Sequence, residues 1–342
     1  MRFKMPPIHA IFNYVYWGVR VICLSLLAWY LILLFLPAGD GHHAHNLTVP
    51  KGGRVSVVAN ELYENRVLRD PWHFRLVARL RGLDRKIQAG DYRITDGMRP
   101  AEILTKMANG EVDGCRFALP EGYSIFQAAE LLERQEIFGR EAFLKACRNR
   151  ELLKGLGIEA NSAEGYLMPG TYLISPKLDE NGLVATMVKN FQVKVSALEQ
   201  EIAASGFTLH QVVILASMIE KEALSSEEKP LIASVFHNRL RIGMPLQSDP
   251  TAIYGLRAFG GTVTKQDLRR PSPYNTYRIK GLPVGPIGNP GIDAIRAAIQ
   301  PASTDYLYFV ARNNGTHQFS RTLKEHNQGV NTFLRKNRKK GN

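Results

Sequence analysis

An uncharged stretch near the N-terminus restricts the fold of this chain more than any other feature. Residues 21–39 carry no charged side chain, and a helix of that length spans a bilayer core of about 30 Å. Arg2, Lys4 and Arg20 precede the stretch without an acid, and Asp40 follows it. The positive-inside rule therefore predicts a single-pass anchor with residues 1–20 in the cytoplasm and the rest exported.

A cleaved signal peptide is the competing interpretation of the same stretch. Its apolar part is longer than the usual h-region of about 7–15 residues, and no clear A-x-A cleavage site follows. A buried helix of a globular domain is disfavoured because the stretch is apolar all round. We therefore expect an uncleaved anchor, with residues 40–46 as a linker.

The charge balance bears on the partner. Lys and Arg number 44 against 31 for Asp and Glu, which gives a formal net charge of +13. A basic protein favours anionic partners, and export argues against nucleic acid. An anionic polymer of the cell envelope or anionic lipid headgroups therefore fit better.

Cysteine and histidine content bounds the redox and metal chemistry. Three cysteines exclude a disulfide-dense scaffold, while Cys115 and Cys147 could either pair or remain thiols. His42, His43 and His45 could bind a metal, but no acid or cysteine nearby completes a ligand set with them, so we interpret them as part of the linker. The sequence predicts no metal and no cofactor.

A weak internal repeat organises the first exported part. Pro50 and Gly52 recur 70 residues later as Pro120 and Gly122, within segments 47–68 and 117–138. Each copy has the pattern of a short strand, a Pro-x-Gly turn and a helix, and a second helix is expected after each. The fold class that this predicts is α+β.

The second part begins with two helices and continues as a long irregular segment. Thr208 is a plausible N-cap for an apolar helix running to about residue 224, and a second helix is expected over residues 227–241. Residues 245–290 are dense in Pro, Gly, Asn and Tyr. A segment this long inside a compact domain is usually functional or disordered, and its aromatic residues and short apolar runs favour an ordered, functional segment. A helix at 292–299 and a hairpin of strands at 306–310 and 317–320 should follow.

The clearest candidates for chemistry are Glu220 and Glu222, which end the apolar helix. Burial and the negative end of the helix dipole both raise a carboxyl pKa, as a general acid requires. Periodicity does not choose between the two acids, and an ion pair at the surface would explain either. They project about 200° apart, so they cannot flank one bond as a glycosidase pair. Asp249 could supply a second carboxylate.

Other catalytic motifs are absent from the sequence. It has no phosphate-binding glycine loop, no H-E-x-x-H motif and no G-x-S-x-G frame around a serine.

Several long motifs, in order, resemble the endolytic murein transglycosylase family, also called YceG-like. They are LASMIEKE (215–222), ASVFHNRL (233–240), MPLQSDPT (244–251), SPYNTY (272–277), GLP (281–283), PI (286–287), NPG (289–291), YLYFV (306–310) and HN (326–327). The anchor, AGDY (89–92), PEG (120–122) and EGY (164–166) extend the resemblance over nearly the whole chain.

The resemblance implies a bacterial inner-membrane protein with its catalytic domain in the periplasm. Such enzymes cleave MurNAc-β-1,4-GlcNAc bonds within peptidoglycan strands without water and leave a 1,6-anhydroMurNAc end. One glutamate acts as acid and then as base, and the resemblance places it at Glu220. Termination of new strands beside cell-wall synthases is the implied role.

Substrate binding is expected from polar residues of the irregular segment: Gln247, Asp249, Asn275 and Tyr277. Each could instead be structural, as a turn former or helix start. The expected layout is a LysM-like glycan-binding and linking α/β region at 47–205, a catalytic domain at 206–334 and a basic tail at 335–342. A non-catalytic glycan-binding scaffold and a peptidoglycan hydrolase remain the alternatives.

Overall fold

The computed structural model describes residues 8–223, 225–256 and 263–335. Two compact units divide the chain: unit 1 is Met1–Cys115 and unit 2 is Arg116–Asn342. The expected boundary between residues 205 and 206 falls inside unit 2.

Unit 1 is a small α+β body attached to an apolar helix. Its elements are α1 (Ile8–Phe35), β1 (Ala44–Val49), α2 (Val55–Glu64), α3 (Pro71–Leu80), β2 (Gly90–Thr95) and α4 (Pro100–Ala108). The two strands are antiparallel and pair Leu47 with Tyr92, both fully buried. Phe74 of α3 and Ile103 of α4 complete the core between sheet and helices.

Helix α1 contains the anchor segment but begins earlier than the sequence analysis expected. Within the described residues, the stretch long and apolar enough to cross a membrane is Phe12–Ile32, which overlaps the expected span of 21–39, and the helix ends at Phe35, before Pro37. Arg20 lies within the stretch, and its guanidinium turns back over the rings of Tyr16 and Trp17. That direction carries its charge toward the N-terminal end. The helix is compatible with a single-pass anchor.

Unit 2 opens with the second copy of the repeat. Its first elements are β3 (Cys115–Leu119), α5 (Ile125–Arg134), α6 (Arg140–Cys147), α7 (Arg150–Gly155) and β4 (Gly170–Ile174), and β3 pairs with β4. Gly52 and Gly122 both have φ of +75°, which explains glycine in each Pro-x-Gly turn. The predicted strand–turn–helix–helix pattern is present in both copies.

The rest of unit 2 is largely helical. It comprises α8 (Glu180–Ser196), α9 (Glu199–Ala204), α10 (Leu209–Glu222), α11 (Lys229–Arg241), α12 (Asp249–Ile253), α13 (Lys265–Arg269), α14 (Ile292–Ile299), β5 (Tyr308–Ala311), β6 (His317–Ser320) and α15 (Leu323–Val330). A short 3₁₀ turn at Ser226–Glu228 precedes α11, and a π-helical turn at Asn331–Arg335 follows α15. Strands β5 and β6 form the predicted hairpin, and the whole is an α+β fold.

Helix α10 is the central helix of unit 2. Thr208 caps it as predicted, through a hydrogen bond from the Gln211 N–H that the Gln211 side chain reciprocates. Every residue from Val212 to Ile219 is buried, and α10 packs against α11 and α14. The packing of α10 in the core therefore fixes the positions of Glu220 and Glu222 at the end of this helix.

The structure bears on the state of Cys115 and Cys147. Cys115 is exposed, Cys147 is buried and both are free thiols, so the pair is not bridged. The basic tail after Arg335 lies outside the described residues.

Candidate active site

The last turn of α10 sends its two acids into different surroundings. Glu220 and Glu222 are two positions apart on a helix and project about 200° from one another. Their hydrogen-bond partners have no member in common. The contacts of each acid therefore bear directly on the choice that periodicity left open.

Glu220 is held in a buried ion pair. Its side chain is 8% exposed, and Oε1 lies 2.9 Å from Nζ of Lys229, which is 5% exposed. The backbone N–H of Gly291 donates to Oε2 at 3.0 Å. Burial lowers the pKa of Lys229, but the bonded Glu220 carboxylate, together with Glu121, more than offsets this, so the lysine pKa is raised. Both oxygens of Glu220 are thus occupied by partners within the protein.

Glu222 accepts a hydrogen bond from Ser248 and lines a cavity. The Ser248 hydroxyl donates to its Oε1 at 2.6 Å. Burial raises the pKa of Glu222 to about 7; the Ser248 hydrogen bond lowers it, the Asp249 charge raises it, and the Arg239 charge lowers it. A carboxyl with a pKa near neutrality can donate a proton and take one back under physiological conditions.

Arg239 of α11 holds the walls of this cavity together. Its guanidinium donates to the carbonyls of Leu307 and Leu246, each at 2.7 Å, and lies 5.3 Å from the ring centroid of Tyr308. These bonds tie the segment before α12 to Leu307, the residue that precedes strand β5. Because Arg239 is 7% exposed and bound to backbone, it acts as a structural cation.

The cavity has a volume of about 280 Å³ and is lined by polar and aromatic side chains. Its lining includes Glu222, Gln247, Asp249, Tyr277 and His326. The Tyr277 hydroxyl donates to Asp249 Oδ1 at 2.6 Å, and Gln247 has a φ of +52°, uncommon for a residue with a side chain. Three of the expected substrate-binding residues therefore lie together with Glu222.

Asn275, the fourth expected binding residue, has a different position. It is fully buried and donates to the carbonyls of Asp267, Leu268 and Arg270, while its own side-chain oxygen accepts from the Tyr277 N–H. The side-chain amide of Asn275 therefore makes its hydrogen bonds within the loop itself. These contacts favour the structural role that the sequence analysis kept open.

His326 is a cavity residue to which the sequence analysis assigned no role, although it belongs to the HN motif. Its ring stacks on Tyr308 with centroids 5.3 Å apart. Among the described residues its Nδ1 atom is buried without a hydrogen-bond partner. Burial and the Arg239 charge lower its pKa. A neutral imidazole beside Glu222 is thus available to a ligand.

A second buried carboxyl joins the motifs around residues 164–166 and 289–291. Glu164 is 2% exposed and accepts from the Tyr254 hydroxyl at 2.7 Å and from Asn289 Nδ2 at 3.1 Å. Asn289 Oδ1 in turn accepts from the backbone N–H groups of Gly165 and Leu167. Burial raises the pKa of Glu164 to about 7, although the Tyr254 hydrogen bond lowers it. This network fixes the two segments to each other.

The arrangement as a whole can support acid–base chemistry by one carboxyl. Glu222 is the acid in the cavity with a pKa near 7, whereas Asp249 is bound to Tyr277 and Glu220 to Lys229. Proton donation and return by a single group, with the charged Arg239 and Asp249 nearby, is the chemistry that these contacts permit.

Comparisons with known proteins agree on one family. A model of the YceG-like family matches residues 47–332. The endolytic murein transglycosylase of Bacillus subtilis strain 168 is 31% identical over 311 residues, which cover 86% of each chain. The protein of that name from Streptococcus pneumoniae D39 is 27% identical over 314 residues, covering 82% of this chain but 57% of its own length.

A solved structure gives the same result at the level of the fold. The crystal structure of a YceG-like protein from Listeria monocytogenes superposes with a TM-score of 0.59 at 31% sequence identity. The match covers 84% of this chain and 98% of the Listeria chain. Since sequence, family model and fold agree over most of its length, this chain belongs to the YceG-like family.

Proposed function

We propose that this protein is an endolytic lytic transglycosylase that cleaves MurNAc-β-1,4-GlcNAc bonds within peptidoglycan strands. The relatives named endolytic murein transglycosylase support this activity. The observation that carries the proposal is Glu222, a carboxyl with a pKa of about 7 that lines a polar cavity.

Glu222 supplies both proton transfers in the proposed mechanism. Its protonated carboxyl donates to the glycosidic oxygen as the bond from that oxygen to the MurNAc anomeric carbon breaks. The C6 hydroxyl of the same MurNAc attacks the anomeric carbon and gives its proton to the carboxylate. The products are a GlcNAc 4-hydroxyl and a 1,6-anhydro ring, and Glu222 ends as it began.

This assignment moves the acid from Glu220 to its neighbour. Glu220 remains a prediction of the sequence resemblance, but its oxygens are bonded to Lys229 and Gly291. For Glu220 to act as the acid it would have to be protonated, which would leave the buried ammonium of Lys229 with Glu121, at 3.4 Å, as its carboxylate partner, and this loss is costly. The contacts therefore favour Glu222 as the acid and Glu220 as a structural anion.

The other polar groups of the cavity are proposed to bind the sugars. Gln247 is exposed and lines the cavity, so its amide can meet the N-acetyl and hydroxyl groups of the glycan. The neutral ring of His326, which lies on α15, can also form hydrogen bonds with these groups of the glycan. Tyr277 and Asp249 fix each other and shape the floor of the site.

The possible anchor supports a proposal for the cellular role. With α1 across the bacterial inner membrane and its N-terminus in the cytoplasm, the catalytic unit stays in the periplasm within reach of new glycan strands. We propose that it terminates these strands beside the synthases that make them. The strand-turn-helix-helix part of unit 1, whose element order is that expected of a LysM-like module, would grip the glycan.

Product analysis tests the proposed reaction. The full-length protein in detergent is incubated with intact peptidoglycan, and the released fragments are examined by mass spectrometry. Anhydro ends, one water lighter than hydrolysis products, are expected. Reducing ends would indicate a hydrolase instead. Binding of glycan without cleavage, in the membrane as well as in detergent, would contradict an enzyme and favour a scaffold.

A further inference from the structure

The outer part of α1 lies against α3 of the same unit. The rings of Trp29 and His73 meet edge to face with their centroids 4.6 Å apart. Tyr30, the next residue along α1, packs against the core of unit 1. Helix α1 continues from Trp29 to Phe35, which is about 9 Å along its axis. The start of α3 therefore lies alongside the end of α1 and not beyond it.

This contact places the start of α3 at the level of the membrane surface. Trp29 belongs to the stretch Phe12–Ile32 that is long and apolar enough to cross a membrane, and α1 ends at Phe35, about two turns further on. A segment beside Trp29 is then in the headgroup layer. Trp72, adjacent to His73, is 52% exposed. Tryptophan is the side chain most typical of that layer, because its ring is apolar and its N–H is polar.

The charges around Trp72 suit an anionic surface. Arg69 and Arg75 are exposed on either side of it, and helix α3 contains no acid. The nearby Asp70 carboxylate, which is 40% exposed, is engaged within the protein: it caps α3 by accepting the Trp72 N–H at 2.8 Å and lies 3.2 Å from His73 Nδ1. Two cations beside an exposed tryptophan match phosphate groups above acyl chains.

We propose that residues 69–75 form a second membrane contact, with Trp72 in the headgroup layer and Arg69 and Arg75 on the phosphates of anionic phospholipids. The lipids are those of the leaflet at which α1 ends. This inference rests on α1 crossing the membrane, as proposed above. Unit 1 is then held in one orientation on the membrane surface instead of swinging on a flexible linker.

Fluorescence quenching by brominated lipids tests this contact in the full-length protein. The protein is reconstituted in vesicles of equal parts phosphatidylglycerol and phosphatidylcholine, with bromine on acyl carbons next to the headgroup. The chain has 3 tryptophans. The emission of the wild type minus that of Trp72→Phe reports Trp72 alone. Strong quenching of that emission is expected.

Three controls give the test its specificity. Leu80→Trp in the Trp72→Phe background places an exposed tryptophan about 12 Å further along α3, and weaker quenching is expected there. Arg75→Glu should reduce the quenching of Trp72, whereas Arg81→Glu, at the far end of α3, should leave it unchanged. Vesicles of phosphatidylcholine alone should also quench Trp72 less, because the arginines lose their anionic partners.

The outcomes separate the contact from the anchor. An unquenched Trp72 in a chain that stays in the vesicles after an alkaline wash would overturn the contact and leave the anchor intact. Equal quenching at positions 72 and 80 would also overturn it, since the start of α3 would not be singled out. Loss of the chain from the vesicles in that wash would overturn the anchor and this inference with it.

Discussion

The Ser248 hydroxyl and the Glu222 carboxylate are joined by a 2.6 Å hydrogen bond across 26 residues of sequence. Ser248 directly precedes α12 and follows Gln247, so this bond ties the cavity-lining loop to the end of α10. The backbone N–H of Ser248 is itself held by the Thr276 hydroxyl at 2.9 Å. The acid and the loop that faces it are thus positioned by one chain of hydrogen bonds.

The pH dependence of catalysis should follow the protonation of Glu222. The proposed reaction begins with its carboxyl protonated, and its pKa is about 7. We expect kcat/KM to fall by up to tenfold per pH unit above about pH 7. Rates measured on a soluble glycan fragment across neutral and alkaline pH check this. A flat profile to about pH 9 would contradict the assignment.

Glu164 should make the protein less stable as the pH rises. Its pKa is raised to about 7, so the folded state holds a proton that the unfolded state releases near pH 4.5. The stability is then fully present below about pH 4.5 and falls by roughly 3 kcal/mol as pH rises through 7.

The variant Glu164→Gln tests this dependence. Its oxygen can accept from Asn289 and its amide can donate to Tyr254, so the fold is kept. Between pH 5 and 8, the Tm of Glu164→Gln should fall clearly less than the Tm of the wild type. The variant Glu222→Gln should remove a separate part of the same pH dependence. If Tm depends on pH in Glu164→Gln as it does in the wild type, the Glu164 carboxyl is not the source of that dependence.

Gly165 should tolerate no side chain because its surroundings are crowded. Gly157, which also has a positive φ but is not crowded, serves as the control. The φ of Gly165 is +86°, and an added Cβ would lie 2.6 Å from Pro286 Cβ and from Val213 Cγ1. Gly157 has a φ of +71° but open space around it. We expect Gly157→Ala to cost about 1 kcal/mol and Gly165→Ala about 3 kcal/mol or more, by chemical denaturation. Equal costs would mean that crowding at Gly165 is relieved by movement.

The expected binding residues should separate into two groups. Gln247→Gly removes an exposed amide and suits a φ of +52°, so it should raise KM and leave Tm unchanged. Asn275→Ala removes buried hydrogen bonds and should lower stability by about 2–3 kcal/mol. Thermal melts beside steady-state kinetics check both variants. A stable Asn275→Ala protein with a raised KM would return that residue to substrate binding.

Local patterns in the sequence were sufficient for much of the fold. The run of apolar residues after Thr208 predicts a buried, capped helix, and α10 has both properties. The recurrence of Pro-x-Gly predicts a repeated unit, because a left-handed glycine and the helix after it are encoded within a few residues. The hairpin around Gly315 is local in the same way.

The site depends on contacts that are distant in sequence. Glu220 and Glu222 differ because Lys229 and Gly291 approach one and Ser248 the other, and no period within α10 encodes this. The Glu164–Asn289 bond spans 125 residues. In the sequence, Glu164 and Asn289 each stand out as a polar residue within a motif. That the two side chains pair is visible only in the tertiary structure.

The central claim is that Glu222, and not Glu220, is the acid and base. The most direct measurement compares the rate of anhydro-end formation from intact peptidoglycan by full-length Glu222→Gln, Glu220→Gln and the wild type. We expect Glu222→Gln to lose at least about 10²-fold in rate while keeping its Tm at neutral pH. Glu220→Gln should lose about 3 kcal/mol of stability with its buried ion pair, yet retain activity below its melting temperature. A folded Glu220→Gln protein without activity, beside an active Glu222→Gln, would contradict the claim.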